Sequence, residues 1–136
     1  MKHQLYFFDV VAFVLMATAL WAALPASRHF YAGMGLATVA LVFWVAARLQ
    51  LGESFAVGAK AHKLVTTGFY AKFRNPVYLF AQIAYLGLAI AWGAWPGFLF
   101  VAMMWMGQMM RAKKEAAVLE KAFGDEYRAY RARTWF

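Results

Sequence analysis

Cysteine is absent from these 136 residues, which excludes disulfides, thiolate nucleophiles and cysteine-ligated metal sites together. The three histidines, His3, His29 and His62, stand too far apart in the chain to make a metal set. Acidic residues are scarce, 6 against 14 Lys and Arg. Charge is missing altogether from residues 30–47 and 77–110, and residues 5–24 carry only Asp9. With 65% hydrophobic residues and a mean hydropathy of +0.54, the chain is far more apolar than a cytosolic domain, in which about half the residues are apolar.

Runs of this kind belong in a bilayer, where a helix of roughly 20 residues crosses about 30 Å of hydrocarbon. The 34 uncharged residues from 77 to 110 are too many for one crossing. They divide into two if Trp95, Pro96 and Gly97 form the turn, because Pro and Gly together interrupt helices strongly. Runs this apolar and without alternation are helices, since unpaired backbone groups are costly in lipid. The expected fold is all-α, a single integral membrane domain of four spans at about 5–24, 30–47, 77–95 and 97–110. A cytosolic loop occupies 48–76 and an amphipathic tail 111–136. The first run is longer than the apolar body of a cleaved signal peptide, and its removal would leave three spans in conflict with the charge pattern. Small residues punctuate the spans (Ala12, Ala17, Ala19; Gly33, Gly35; Ala84, Gly87, Ala89, Ala91) and suit close helix packing.

The net charge of +8 suggests a nucleic-acid binder only until the basic residues are placed. Five fall between Arg48 and Arg74 and seven after Met110, whereas the two short connections hold only Arg28. The positive-inside rule therefore sets both termini and the long loop in the cytoplasm. A basic face there also attracts anionic lipid, and no nucleic-acid partner is expected.

In the tail, Ala112, Ala116, Leu119 and Phe123 recur at three- and four-residue steps among helix formers. The spacing predicts that the last span runs straight on as a helix to a stop at Gly124. A second short helix, capped by Asp125, then carries Tyr127 and Tyr130 on one face.

The loop contains His62-Lys-Leu64-Val65-Thr-Thr-Gly68-Phe-Tyr70 and then Arg74-Asn75-Pro76-Val77-Tyr78. The tail contains Lys114-Glu115, Leu119-Glu120 and Phe123-Gly124-Asp-Glu126-Tyr127, continuing to Tyr130 and Arg133. These two segments, in this order and separated by a helical hairpin, resemble the signature of the isoprenylcysteine carboxyl methyltransferase and phospholipid methyltransferase superfamily of integral membrane enzymes. The likeness covers about half the chain. It implies a methyltransferase using S-adenosyl-L-methionine, with the cofactor at the cytosolic membrane surface and a small or lipophilic acceptor entering from the lipid.

By position, the resemblance places cofactor contacts on His62, Lys63, Leu64, Val65, Tyr70, Asn75, Pro76, Val77, Tyr78 and Glu115. Arg111 matches an arginine that meets the acceptor, and Arg111 with Glu115 are the catalytic candidates; no metal is implied. Two positions depart from the family's best-known pattern: Asn75 stands where a histidine is usual, and Phe55 where a glutamine is. The residue types suit the chemistry. Tyr70 and Tyr78 can offer rings to the adenine or the sulfonium. Glu115 can accept from the ribose hydroxyls or the ammonium. Arg111 stands one helical turn before Glu115 and can orient an anionic acceptor. An amine acceptor would need a base, for which His62 and Glu115 are the candidates.

Plainer roles exist for the same residues. His62 can be surface decoration, Trp92 and Trp95 interfacial belt residues, and Arg111 with Glu115 an ordinary helical ion pair. The methionines 103, 104, 106, 109 and 110 suit adaptable packing or a soft wall for an apolar chain. Asp9 reads as interfacial. Two other functions fit more loosely: a nicotinamide-dependent sterol-type membrane reductase, and a small four-helix exporter with Asp9 as its proton-coupled acid.

Overall fold

The computed structural model describes residues 8–52 and 64–136. Among them the fold is all-α, as expected: α1 (Phe8–Ala23), α2 (Arg28–Leu51), a short 3-10 helix (Gly68–Ala71), α3 (Pro76–Trp92), α4 (Trp95–Phe123) and α5 (Asp125–Arg133). By length and composition α2 suffices to cross a membrane, and α1 and α3 are apolar but shorter.

Two boundaries differ from expectation. Helix α2 continues to Leu51, so Arg48 is a helical residue rather than the start of the loop. The turn of the second hairpin lies at Gly93 and Ala94, not at Trp95 to Gly97. Gly93 takes the left-handed conformation (φ 69°) that closes a helix without steric cost, and its N–H bonds to Ala89 O. Pro96 has no N–H to lose in the first turn of α4, so it starts a helix where a break was expected.

The centre of the fold is the antiparallel pair α2 and α3. Gly33, Ala37, Ala40, Trp44 and Ala47 form a buried stripe on α2 at alternating four- and three-residue steps, and Ala81, Ala84, Leu88 and Ala91 form one on α3. A Cβ at Gly87 would lie 2.6 Å from the Ala37 nitrogen and 2.7 Å from Gly33 O, so the backbones touch. Of the other small residues, Gly35 has nothing within 4 Å of where a Cβ would be, and Ala19 is exposed. Only one stripe of each helix meets the other.

Helix α1 is pinned to this pair through Phe13, which sits edge-on to Trp44 at 5.8 Å and to Tyr85 at 5.1 Å. Helix α4 is tied to α3 by Gln82, whose Nε2 donates to Val101 O at 2.8 Å. It runs unbroken to Phe123, as its periodicity predicts, and stops at Gly124 (φ 50°). Asp125 does not cap α5: Gly124 holds the N-cap position, and Asp125 pairs with Arg128 at 3.1 Å.

Candidate functional site

The two segments singled out by sequence come together at one end of the bundle. Gln50, near the end of α2, accepts from Phe69 N at 2.9 Å and anchors the 3-10 helix there. Tyr130 of α5 donates its hydroxyl to Tyr70 O at 2.8 Å. The chain after α5 then lies beside residues 72–75: Phe73 bridges Trp135, and Arg74 N donates to Trp135 O at 2.9 Å. Phe136 stacks on Trp105 of α4 at 5.0 Å.

Burial and the neighbouring Tyr127 push the Tyr130 hydroxyl up to about 12, against the pull of Arg74 and Arg133, so it remains a donor at neutral pH. Tyr130→Phe removes this bond from a buried site and is expected to cost about 1 to 2 kcal/mol. The expected result is a thermal midpoint several degrees lower, with faster proteolysis after Phe123, as followed by scanning fluorimetry and mass spectrometry.

The joining contact is between the motifs themselves. Tyr78, in the first turn of α3, donates its hydroxyl to Glu115 Oε1 of α4 at 2.6 Å. Burial pushes the Glu115 carboxyl above its ordinary range, while the Tyr78 hydrogen bond and Arg111 pull it down. Burial likewise raises Tyr70, helped by Tyr130 and Glu115 and opposed by Arg48. Arg111 makes no ion pair with Glu115 among the described residues, so the ordinary helical pairing gives way to a contact between helices.

Beside this contact a cleft of about 240 Å³ opens between α2, α3 and α4, with Asp9 of α1 on its wall. Val77, Tyr78 and Arg111 line it, as do four residues without a sequence assignment there: Trp44, Arg48, Tyr85 and Gln108. Of the other cofactor candidates, Pro76 is fully buried in the first turn of α3 and Asn75 occupies its N-cap position. Leu64 and Val65 are half-buried, and Tyr70 is 5% exposed. His62, Lys63 and Phe55 lie outside the described residues.

The model of the phospholipid methyltransferase family matches residues 28–126, from the start of α2 into α5. The chain belongs to this family. A protein-S-isoprenylcysteine O-methyltransferase of Schizosaccharomyces pombe is 37% identical over 91 residues, which cover 62% of this chain and 39% of that protein. The chain thus spans about two fifths of the curated relative it matches. No solved structure matches it. In this phospholipid methyltransferase family member the matched stretch takes in the loop motif and the tail motif as far as Glu126, whereas Asp9 and the tail's Tyr127, Tyr130, Arg133, Trp135 and Phe136 lie outside it.

Asp9, which the sequence offers as an interfacial residue or as the proton-coupled acid of an exporter, pairs with Arg48, and its Oδ1 accepts from Val10 N at 3.0 Å. The signal that could have found the pair is the rarity of charge: Asp9 is the lone acid of the first run, and Arg48 is the first base after the second. For Trp44 and Gln108 there was no such signal beyond a polar group in an apolar helix.

Proposed function

We propose that the chain is an S-adenosylmethionine-dependent membrane methyltransferase, with the cofactor held between residues 64–78 and the helix carrying Arg111 and Glu115, and a lipophilic acceptor in the adjoining cleft. The observation that carries this reading is the Tyr78 to Glu115 hydrogen bond, which ties the loop motif to the tail motif beside an open cleft. Family membership and the likeness to an O-methyltransferase support it. The basic residues of loop and tail put this end of the bundle in the cytosol, with four spans behind it.

The residues present fit such a group. Glu115 offers a half-buried carboxylate whose Oε1 accepts a hydrogen bond from the Tyr78 hydroxyl, and Oε2 is in no hydrogen bond among the described residues. That oxygen can accept from a ribose hydroxyl or an ammonium. Arg74 Nε is buried and unpartnered among the described residues, a donor awaiting an acceptor. When bound, S-adenosylmethionine supplies an electrophilic methyl group. Tyr70 and Tyr78 give aromatic and hydroxyl contacts near its binding place, Arg111 orients the acceptor from the cleft wall, and the apolar helices exclude water. Transfer to a carboxylate or thiolate needs little proton movement, so positioning does most of the work.

The test is calorimetry of S-adenosylhomocysteine against the protein in neutral detergent, with a reduced nicotinamide dinucleotide as comparison. Binding of the first and not the second is expected; the reverse favours the reductase alternative. Arg111→Ala is expected to raise KM for the acceptor or lower kcat about tenfold or more, leaving S-adenosylhomocysteine affinity unchanged. The exporter reading draws little support, since Asp9 is in the first turn of α1 and paired with Arg48.

A further inference from the structure

The tail combines a pinned backbone with a free indole. Trp135 N donates to Lys72 O at 2.7 Å and Trp135 O accepts from Arg74 N at 2.9 Å, so the residue is held on both sides. Its side chain is nevertheless 74% exposed. Tryptophan so placed is the residue type that settles at membrane surfaces, its ring among the lipid headgroups. The depth of the segment agrees. Phe136, the next residue, stacks on Trp105 with ring planes 17° apart. Trp105 stands inside the uncharged run, six residues before Arg111 (111 − 105), or about 9 Å along α4. Exposed Met103 and Met106 flank it on that helix. Residues 134–136 therefore straddle the boundary between apolar helix and charged tail.

The free charges at this end have one sign. Lys72, Arg131 and Arg133 are exposed, and none of them is in an ion pair among the described residues. The tail's acids are engaged or stand apart. Arg128 faces Glu120 at 4.0 Å and Asp125 at 3.1 Å, and Glu115 is tied to Tyr78. Glu126 is in the first turn of α5, whereas Arg131 and Arg133 are in its last. Each base near an anionic membrane surface adds about 1 kcal/mol of attraction, and an indole beside three of them suits a negatively charged bilayer.

We propose that Trp135, with Lys72, Arg131 and Arg133, is a contact for an anionic bilayer surface, and that this contact holds residues 134–136 closed on residues 72–75. The proposal rests on the reading of residues 64–78 as part of the cofactor's place and adds to it a closure that depends on lipid charge. The coupling runs through the docking bonds. Trp135 holds Lys72 and Arg74, Phe136 O accepts from Asn75 N at 3.1 Å at the start of α3, and Tyr130 holds Tyr70 O. Lipid that fixes this end of the tail thus also fixes Tyr70 and the helical turn that carries Tyr78. The effect is reciprocal: anionic lipid tightens cofactor binding by the factor by which cofactor tightens the lipid contact.

The experiment compares the full chain in nanodiscs of phosphatidylcholine alone and of phosphatidylcholine with about a third phosphatidylglycerol. Because the chain lacks cysteine, Ala132→Cys, at an exposed position of α5, takes a single nitroxide label. Its collisions with an uncharged, water-soluble nickel chelate are expected to fall about fivefold in the anionic discs, and S-adenosylhomocysteine is expected to bind about fivefold or more tighter there. Trp135→Ala is expected to abolish both differences. It should melt within about a degree of the parent in detergent, because the ring is exposed and the backbone bonds remain. Equal collision rates in the two discs, or a difference that Trp135→Ala leaves intact, overturn the contact. A label that sinks in anionic discs while S-adenosylhomocysteine binds equally in both overturns the closure. A label that sinks where S-adenosylhomocysteine binds in neither disc leaves the bilayer contact standing and overturns the methyltransferase reading alone.

Discussion

Glu115→Gln is expected to leave the protein as stable as before, or more so, at neutral pH while cofactor affinity falls ten- to a hundredfold. The amide oxygen can still accept the Tyr78 hydroxyl that Glu115 Oε1 now accepts at 2.6 Å, so the link between α3 and α4 survives. What changes is the charge. Burial raises the Glu115 carboxyl above its ordinary 4.5, so the folded state binds this proton more tightly than the unfolded chain does. The sign of the linkage follows. The group's contribution to stability is fully present below about pH 4.5 and is lost as pH rises through the raised folded value. At neutral pH the ionised carboxylate is a cost, which the amide removes. Melting from pH 4 to 8 should therefore show a smaller decline for the variant than for the parent, as far as this group contributes. Binding moves the other way, because a charge-assisted hydrogen bond to the ligand is worth about 1.5 to 3 kcal/mol and a neutral amide keeps only part of it. A melting temperature several degrees lower with unchanged S-adenosylhomocysteine affinity would show Glu115 to be a structural tie only.

That opposition between stability and binding bears on which parts of the site can be read from sequence. Local signals were legible: Gly124 as a helix stop, the continuity of α4 through Ala112 and Leu119, and the turn before Tyr70 all follow from periodicity or backbone preference. The motif residues Tyr78 and Glu115 stood out by resemblance, and the fold joins them. Other features depend on which stripe of a helix faces which neighbour. Trp44 is one of six tryptophans, and nothing in its own segment tells a buried indole from the exposed ones at Trp21 or Trp95. The docking of Trp135 and Phe136 against residues 72–75 comes from a backbone bridge without periodicity. The turn at Gly93 was misplaced because Pro96 reads as a breaker in isolation and as a helix start once Gly93 has ended α3.

Which stripe faces which neighbour is decided largely at Gly33 and Gly87, and Gly33→Val should have the largest effect on the fold. A Cβ at Gly33 would lie 2.5 Å from Gly87 O and 2.8 Å from the Ala91 Cα, and would also overlap the Ala91 nitrogen. All three are backbone atoms of α3, which no rotamer change can move. The helices must separate there, losing the contacts of Ala37 and Ala84 as well, at a cost of about 3 kcal/mol or more. A drop in melting temperature of about 10 °C is expected. The site should suffer with it. Gly33 and Arg48 lie at opposite ends of α2, about 22 Å apart at 1.5 Å per residue, so wedging one end tilts Trp44 and Arg48 against Tyr78 at the other. Gly35→Ala is the control: nothing lies within 4 Å of its Cβ position, and alanine is the better helix former by about 0.5 to 1 kcal/mol. Gly35→Ala should therefore melt at the parent temperature or above it, with ligand affinities unchanged. Equal melting of the Gly33→Val and Gly35→Ala variants would mean that the backbone contact between α2 and α3 does not hold the fold, and that the cleft beside Tyr78 is positioned some other way.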